Sequence, residues 1–207
     1  MLVSLGDMSS PNAGSVRLLP IFVVAAFCVI TGLGFLALTR IEENDAFCAS
    51  CHSQPEAAYV SRAQANAAVD LSSAHAMLAH TKPQTANTRC IDCHSGPGVL
   101  GRASSLALGA RDAVRWFSGT AIQPAHQTVP IADANCLKCH ADTPAATGFD
   151  AHFHRELARW QHADATAATC ATCHAAHTAD GNAAISFISQ SRAQAECKRC
   201  HVVLGVE

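Results

Sequence analysis

Five times along this chain, two cysteines stand three apart with a histidine directly behind the second. The copies are Cys48-Ala-Ser-Cys51-His52, Cys90-Ile-Asp-Cys93-His94, Cys136-Leu-Lys-Cys139-His140, Cys170-Ala-Thr-Cys173-His174 and Cys197-Lys-Arg-Cys200-His201. Ten of the 11 cysteines fall inside these triplets, and only Cys28 lies outside. With 11 Cys and 12 His among 207 residues, chance would give about 0.03 such triplets. Whatever the chain folds into must satisfy the same local chemistry five times.

One copy alone would leave three readings open: half a zinc site, a redox dithiol, or the attachment point of a c-type haem. Zinc takes four ligands, so five copies would have to pair and one would be left over. Zinc ribbons also have no need of a histidine after every second cysteine. A thioredoxin-like dithiol comes once, within a βαβ pattern, and no strand-rich segment is visible. Haem attachment uses every member of the triplet. The two thiols add to the two porphyrin vinyl groups, and the histidine becomes an axial iron ligand. The expectation is five covalently bound haem c. Cys48, Cys51, Cys90, Cys93, Cys136, Cys139, Cys170, Cys173, Cys197 and Cys200 would hold them, with His52, His94, His140, His174 and His201 as proximal ligands.

Before the first triplet runs "LLPIFVVAAFCVITGLGFLALT", 22 uncharged residues from Leu18 to Thr39 between Arg17 and Arg40. As a helix it would be about 33 Å long, enough for a hydrocarbon core of about 30 Å. A signal-peptide core is shorter, about 7–15 residues, and no small-x-small cleavage site follows. An uncleaved anchor is the expected reading, with Cys28 an apolar filler inside it. The expected organisation is a cytoplasmic tail (1–17), a single transmembrane helix (18–39) and a haem domain (40–207). Because covalent haem attachment in bacteria is extracytoplasmic, the expected location is the bacterial cytoplasmic membrane with the haem domain on the periplasmic side.

The segment after the span reads as mainly α with long loops. The stretches 55–80, 99–119 and 149–164 are rich in helix formers, and Leu100, Ala103, Ala107, Ala110, Val114 and Phe117 fall on one helical stripe. With Trp116 and three arginines beside it, that stripe suits either a membrane interface or packing on a haem. From Ile41 onward there are 12 Lys+Arg against 15 Asp+Glu, which excludes the basic face that nucleic acid requires. The chain is rich in alanine and holds one tyrosine and two tryptophans. So few large apolar side chains make a poor core, and five flat apolar rings would supply one. One ring per about 33 residues places neighbours close enough to pass electrons.

Each iron has a second axial position. The remaining histidines are His75, His80, His126, His152, His154, His162 and His177, with Met77 a weaker option. His152 and His154 are two apart and face different ways on a helix, so only one of them, His154, is expected to ligate.

The anchor, "FCASCH" close behind it, "CIDCH", the helix ending "RWFSGT", "IQPAH", "NCLKCH" and "CATCHAAH" together resemble the NapC/NirT/NrfH family of membrane-anchored multihaem quinol dehydrogenases. The resemblance covers roughly residues 18–178. It implies distal ligands at His80 (or His75), His126 and His177, and an acidic quinol-site residue at Asp112. Two features depart from it. In the NrfH branch a methionine behind the first motif ligates iron, and Gln54 stands there instead. The family usually has four haems, and the Cys197 motif adds a fifth. A singly anchored pentahaem chain also resembles the pentahaem subunit of alternative complex III.

The expected function is electron transfer. Electrons would come from membrane quinol, oxidised either by this chain or by membrane subunits beside it, and pass to an extracytoplasmic redox partner. The alternatives are a relay subunit of a larger respiratory complex and a multihaem reductase of a small nitrogen or sulfur species. The last would need an open iron with acid or base groups beside it.

Overall fold

The computed structural model describes residues 18–81, 88–148 and 151–205, with the side chains at 18 and 79–81 outside that description. The chain divides into two compact units, Met1–Ile41 and Glu42–Glu207.

In the first unit, α1 (Leu18–Ile41) is one uninterrupted helix. Its span Leu19–Ile41 has a mean hydropathy of 2.7 and presents its side chains outward. A helix apolar on all sides is suited to lipid rather than water. It is long and apolar enough to cross a membrane, and it runs two residues past the expected end at Thr39.

Among its described residues the second unit is mainly helical, with long connections and two short 3-10 turns, Thr143–Ala145 and Ala183–Ile185. Its elements are α2 (Asp45–Cys51), α3 (Glu56–Ala63), α4 (Leu71–Thr81), α5 (Cys90–His94), α6 (Gly98–Phe117), α7 (Asp133–Leu137), α8 (His152–Ala163), α9 (Cys170–Cys173) and α10 (Gln190–Leu204). The only extended pairings among the described residues are isolated bridges from Ile188 to His174 and to Asn182. A mainly α chain with long connections is what the sequence predicts.

The stretch 55–80 is not one helix. The chain turns between Ala63 and Leu71 because Asp70 makes a better start than continuation. Its Oδ1 accepts the Ser73 N–H at 2.8 Å, and its Oδ2 accepts Arg62 at 2.6 Å, with Asp70 only 1 % exposed. A carboxylate this buried needs such partners. The first free N–H groups of α4 are taken by the chain after the fourth motif, Leu71 donating to Ala175 O and Ser72 to Ala176 O. A contact over a hundred residues away in sequence therefore decides where α4 begins.

The protein's own core is small. Leu157, Trp160, Ala168 and Cys200 form one buried cluster, with Phe153 and Leu204 packed against it. On α6 the stripe residues Leu100, Val114 and Phe117 remain exposed.

Candidate functional site

Each motif closes about one turn of helix. His52 N–H donates to Cys48 O, His140 N–H to Cys136 O and His174 N–H to Cys170 O, at 3.3, 3.0 and 3.0 Å. Residues three apart on a helix share a face, so both thiols of a motif look the same way with the histidine one step beyond. Helices of four to seven residues are marginal by themselves, and capping holds them. Asn44 caps α2 through Ala46 N–H; Asp92 Oδ2 accepts the Arg89 N–H at 2.8 Å at the start of α5, and Thr172 Oγ1 accepts the Thr169 N–H at 2.9 Å at the start of α9.

Two aspartates join the motifs in pairs. Asp45, three residues before Cys48, accepts the Cys90 N–H at 2.9 Å. Asp133, three residues before Cys136, accepts the Cys170 N–H at 2.7 Å. The sulfurs follow. Cys48 and Cys90 share a hydrogen bond, which lowers the first thiol's pKa and raises the second's. Cys136 and Cys170 do the same, with Cys136 brought down to about 7 and Cys170 pushed up. The pairs are linked in turn: Asn135 Nδ2 donates to Cys93 O at 2.8 Å. From the fourth motif to the fifth, α9 packs on α10, and Ser189 N–H at the head of α10 donates to Cys173 O at 2.9 Å. The segments that carry the motifs thus touch in chain order, first to fifth.

The two aspartates were not among the residues singled out in the sequence. Their signal was present: an Asp stands three before the first cysteine in the first and third motifs only.

Non-motif histidines meet motif histidines across the domain. His177 lies near His94, ring centres 6.1 Å apart and planes 23° apart. His75 faces His140 edge-on at 6.1 Å. His154 faces His174 at 6.2 Å and 20°, and His152 faces His201 at 6.4 Å and 75°. His126 and His162 are exposed, and among the described residues no motif ring faces either. Among the described residues no non-motif histidine ring faces His52, and the side chain of His80 lies outside them.

Two rings are fixed by their second nitrogen. His174 Nδ1 lies 2.8 Å from Ser186 O, and His75 Nδ1 lies 2.8 Å from Leu71 O. A donor bond at Nδ1 sets the tautomer and leaves Nε2 free to ligate. Ser186 and Phe187 both hold positive φ, 56° and 59°, a conformation that is strained for such residues. The loop holds it because Phe187 is buried and its carbonyl accepts Ala175 N–H at 2.8 Å. Gly181 packs against that carbonyl, where a Cβ would collide. His177 is stacked on Tyr59 at 4.1 Å, and its carbonyl accepts Arg62 at 3.1 Å. Desolvation pulls His94, His154 and His177 below the usual imidazole range, although the surface of His94 is open to solvent. They stay neutral near pH 7, the form that binds metal.

Asp112 sits half-buried on α6 between two arginines, 3.1 Å from Arg111 and 3.8 Å from Arg115. Near the start of the same helix Arg102 pairs with Glu42.

The donor set fits haem c. No cysteine is in a disulfide, and among the described residues no three His, Cys, Asp or Glu side chains converge as zinc would require. Paired thiols on one helical face with a histidine beyond are what covalent haem attachment uses.

No curated protein and no solved structure matches the chain. Residues 47–108, which contain the first two motifs, match the family model described as cytochrome c554 and c-prime. That likeness supports a multihaem c-type cytochrome, an electron-transfer protein with covalently bound haem.

Proposed function

We propose that this chain is a membrane-anchored pentahaem c-type cytochrome that relays electrons from the quinol pool, or from a quinol-oxidising membrane partner, to an extracytoplasmic acceptor. The observation that carries the reading is the unbroken contact order of the five motif segments. Asp45 ties the first to the second, Asn135 the second to the third, Asp133 the third to the fourth, and the Ser189 bond to Cys173 the fourth to the fifth. Each haem would supply a one-electron iron couple. Segments held this close would keep neighbouring rings within transfer distance, and their rigidity would keep reorganisation small.

The anchor supports a start at the membrane. Cys48 follows the end of α1 by only seven residues of sequence, so a short tether would favour electron entry at the first motif. The domain would lie on the extracytoplasmic side, where covalent haem attachment occurs. Asp112 is the candidate quinol-site residue, with Arg111 and Arg115 beside it.

The test is anaerobic mixing of the detergent-purified chain with a reduced menaquinol analogue while the haem absorption bands are followed. Prompt reduction of all five haems supports a quinol site within this chain, and Asp112→Asn should then slow it. Reduction by dithionite alone would assign the chain to a relay role beside a separate quinol-oxidising subunit. A holoprotein carrying fewer than five haems would overturn the reading.

A further inference from the structure

We propose that His152 and His154 of α8 ligate two different irons, those bound by His201 and His174, so that a single turn of helix ties the fourth and fifth haems together. This rests on the reading of the five motifs as haem sites, and it goes beyond that reading by assigning sixth ligands, including one that the sequence argues against.

The first argument is distance. Two imidazoles sharing one iron have their ring centres about 6.3 Å apart, from metal–nitrogen bonds of about 2.0 Å and about 1.15 Å from nitrogen to ring centre. The observed separations are 6.2 Å for His154 with His174 and 6.4 Å for His152 with His201. The two other facing pairs, His94 with His177 and His75 with His140, both stand at 6.1 Å. For the two edge-on pairs ring contact gives the same spacing, as Phe153 does with His154 and Trp160 at 6.1 Å, so the distance speaks for the near-parallel pairs. Ring contact does not supply the spacing there. Where rings do stack directly, as Tyr59 does on His177, the centres are 4.1 Å apart. His154 and His174 lie only 20° from parallel at 6.2 Å, well beyond the separation of face-to-face stacking and close to that of two imidazoles sharing one iron.

The second argument is helix geometry. Residues two apart are about 200° apart around the axis, so the two rings leave α8 on opposite sides. That excludes a shared iron and suits two. Motif segments are available to both rings, because α8 packs on α10 and α10 packs on α9. The helix itself is pinned: Trp160 is fully buried and Gln161 donates to Asp133 at 2.7 Å and to Ala168 O at 2.9 Å. His174 presents Nε2 because Ser186 O holds its Nδ1.

The planes separate the two irons spectroscopically. Near-parallel imidazoles split the iron dxz and dyz orbitals and give a rhombic low-spin ferric signal. Near-perpendicular ones leave those orbitals almost degenerate and give a highly anisotropic signal. His154 with His174 belongs to the first kind, at 20°, and His152 with His201 to the second, at 75°.

The experiment uses the oxidised holoprotein in detergent, after intact mass has established the haem count. A count below five would fault the haem reading itself, independently of the ligand assignment. With five haems present, His152→Ala should remove one equivalent of the highly anisotropic EPR signal, and His154→Ala one equivalent of the rhombic signal. Each loss should appear as one equivalent of high-spin iron, returned to low spin by added imidazole. If His152→Ala keeps the full low-spin complement, His152 only packs on His201 and the proposal falls. It also falls if both variants remove the same signal. Should either variant fail to accumulate, His152→Met decides. A sulfur-to-iron absorption band together with one raised haem potential supports the assignment, and their absence overturns it.

Discussion

The segment carrying the first two motifs and the segment carrying the third and fourth use one device in two settings. In both, an aspartate three residues ahead of the odd-numbered motif reaches across to the first N–H of the even-numbered one, at 2.9 and 2.7 Å. The surroundings differ. Around Asp45 the neighbours are ion pairs, Arg102 with Glu42 and Arg89 with Glu43, the latter at 3.5 Å. Around Asp133 they are packing: Gln161 takes its second oxygen, and α8 behind it carries Leu157 and Trp160 into the protein's own core. The same clamp is held by charge in one half and by burial in the other. Charge is screened by salt and burial is not, so the two halves should fail under different insults.

The largest effect should come from the packed half. Trp160 is fully buried against Leu157, Ala168 and Cys200, and truncating such a side chain costs about 3–5 kcal/mol. Trp160→Ala should loosen α8 to α10 while the first two motifs stay folded. Hydrogen exchange resolved by segment would show it. Equal loss of protection in α2 and α5 would mean that the two halves unfold as one unit.

Next come the aspartates themselves. Asp133→Ala removes two hydrogen bonds, from Cys170 N–H and from Gln161 Nε2, which keeps Ala168 O, whereas Asp45→Ala removes one, from Cys90 N–H. At about 1 kcal/mol per hydrogen bond, denaturant unfolding should register roughly twice the loss for Asp133. Asparagine keeps an acceptor oxygen and should restore most of it at either position. Equal losses would mean that Gln161 finds another acceptor.

Salt should reverse the ranking. The Arg102–Glu42 and Arg89–Glu43 pairs are partly exposed, and such pairs contribute about 0.2–1 kcal/mol each at low ionic strength. Raising salt should increase exchange in α5 and the start of α6 before it affects α8. If α8 responds first, the ionic description of the first half is wrong.

These contrasts also mark what the sequence could and could not say. The five motifs, the apolar span and helices near 98–117 and 152–163 were legible because each is written in local spacing. The turn between α3 and α4 was legible only in part: Asp70 and Ser73 carry a local cap, but the next N–H groups of α4 are satisfied by Ala175 and Ala176. The facing histidines are non-local in the same way. His177 follows the fourth motif yet stands by the second motif's His94, and His75 precedes the second yet stands by the third motif's His140. Nothing in sequence order announces that crossing. The Asp45 and Asp133 pattern was written locally, and it is the one functional feature that closer reading of the spacing would have found.

The smallest effect concerns the loop that closes behind the fourth motif. Asp180 accepts Ser189 Oγ at 2.6 Å and Arg192 at 2.9 Å, and Arg192 also reaches Thr178 at 2.7 Å. Hydrogen bonds from Ser189 and then Thr178, with the Arg192 charge as a smaller contribution, hold the Asp180 carboxyl down to about 2. An aspartate whose folded pKa is depressed stabilises the fold above its unfolded value of about 3.9, and that contribution fades as pH falls towards the folded value. The loop from Thr178 to Arg192 should therefore stay closed at pH 5 and loosen progressively between about pH 4 and pH 2. The Ser186 carbonyl that orients His174 lies in this loop, so loosening should also disturb the fourth motif's histidine. Limited proteolysis by pepsin across that range would read the opening, with Asp180→Asn as the control. The variant should open to the same small extent at every pH in the window, because its side chain has no proton to gain. If the variant retains the full pH dependence, another carboxyl closes the loop, and Asp164, held low by Thr166 and lying against Arg199, is the next to change.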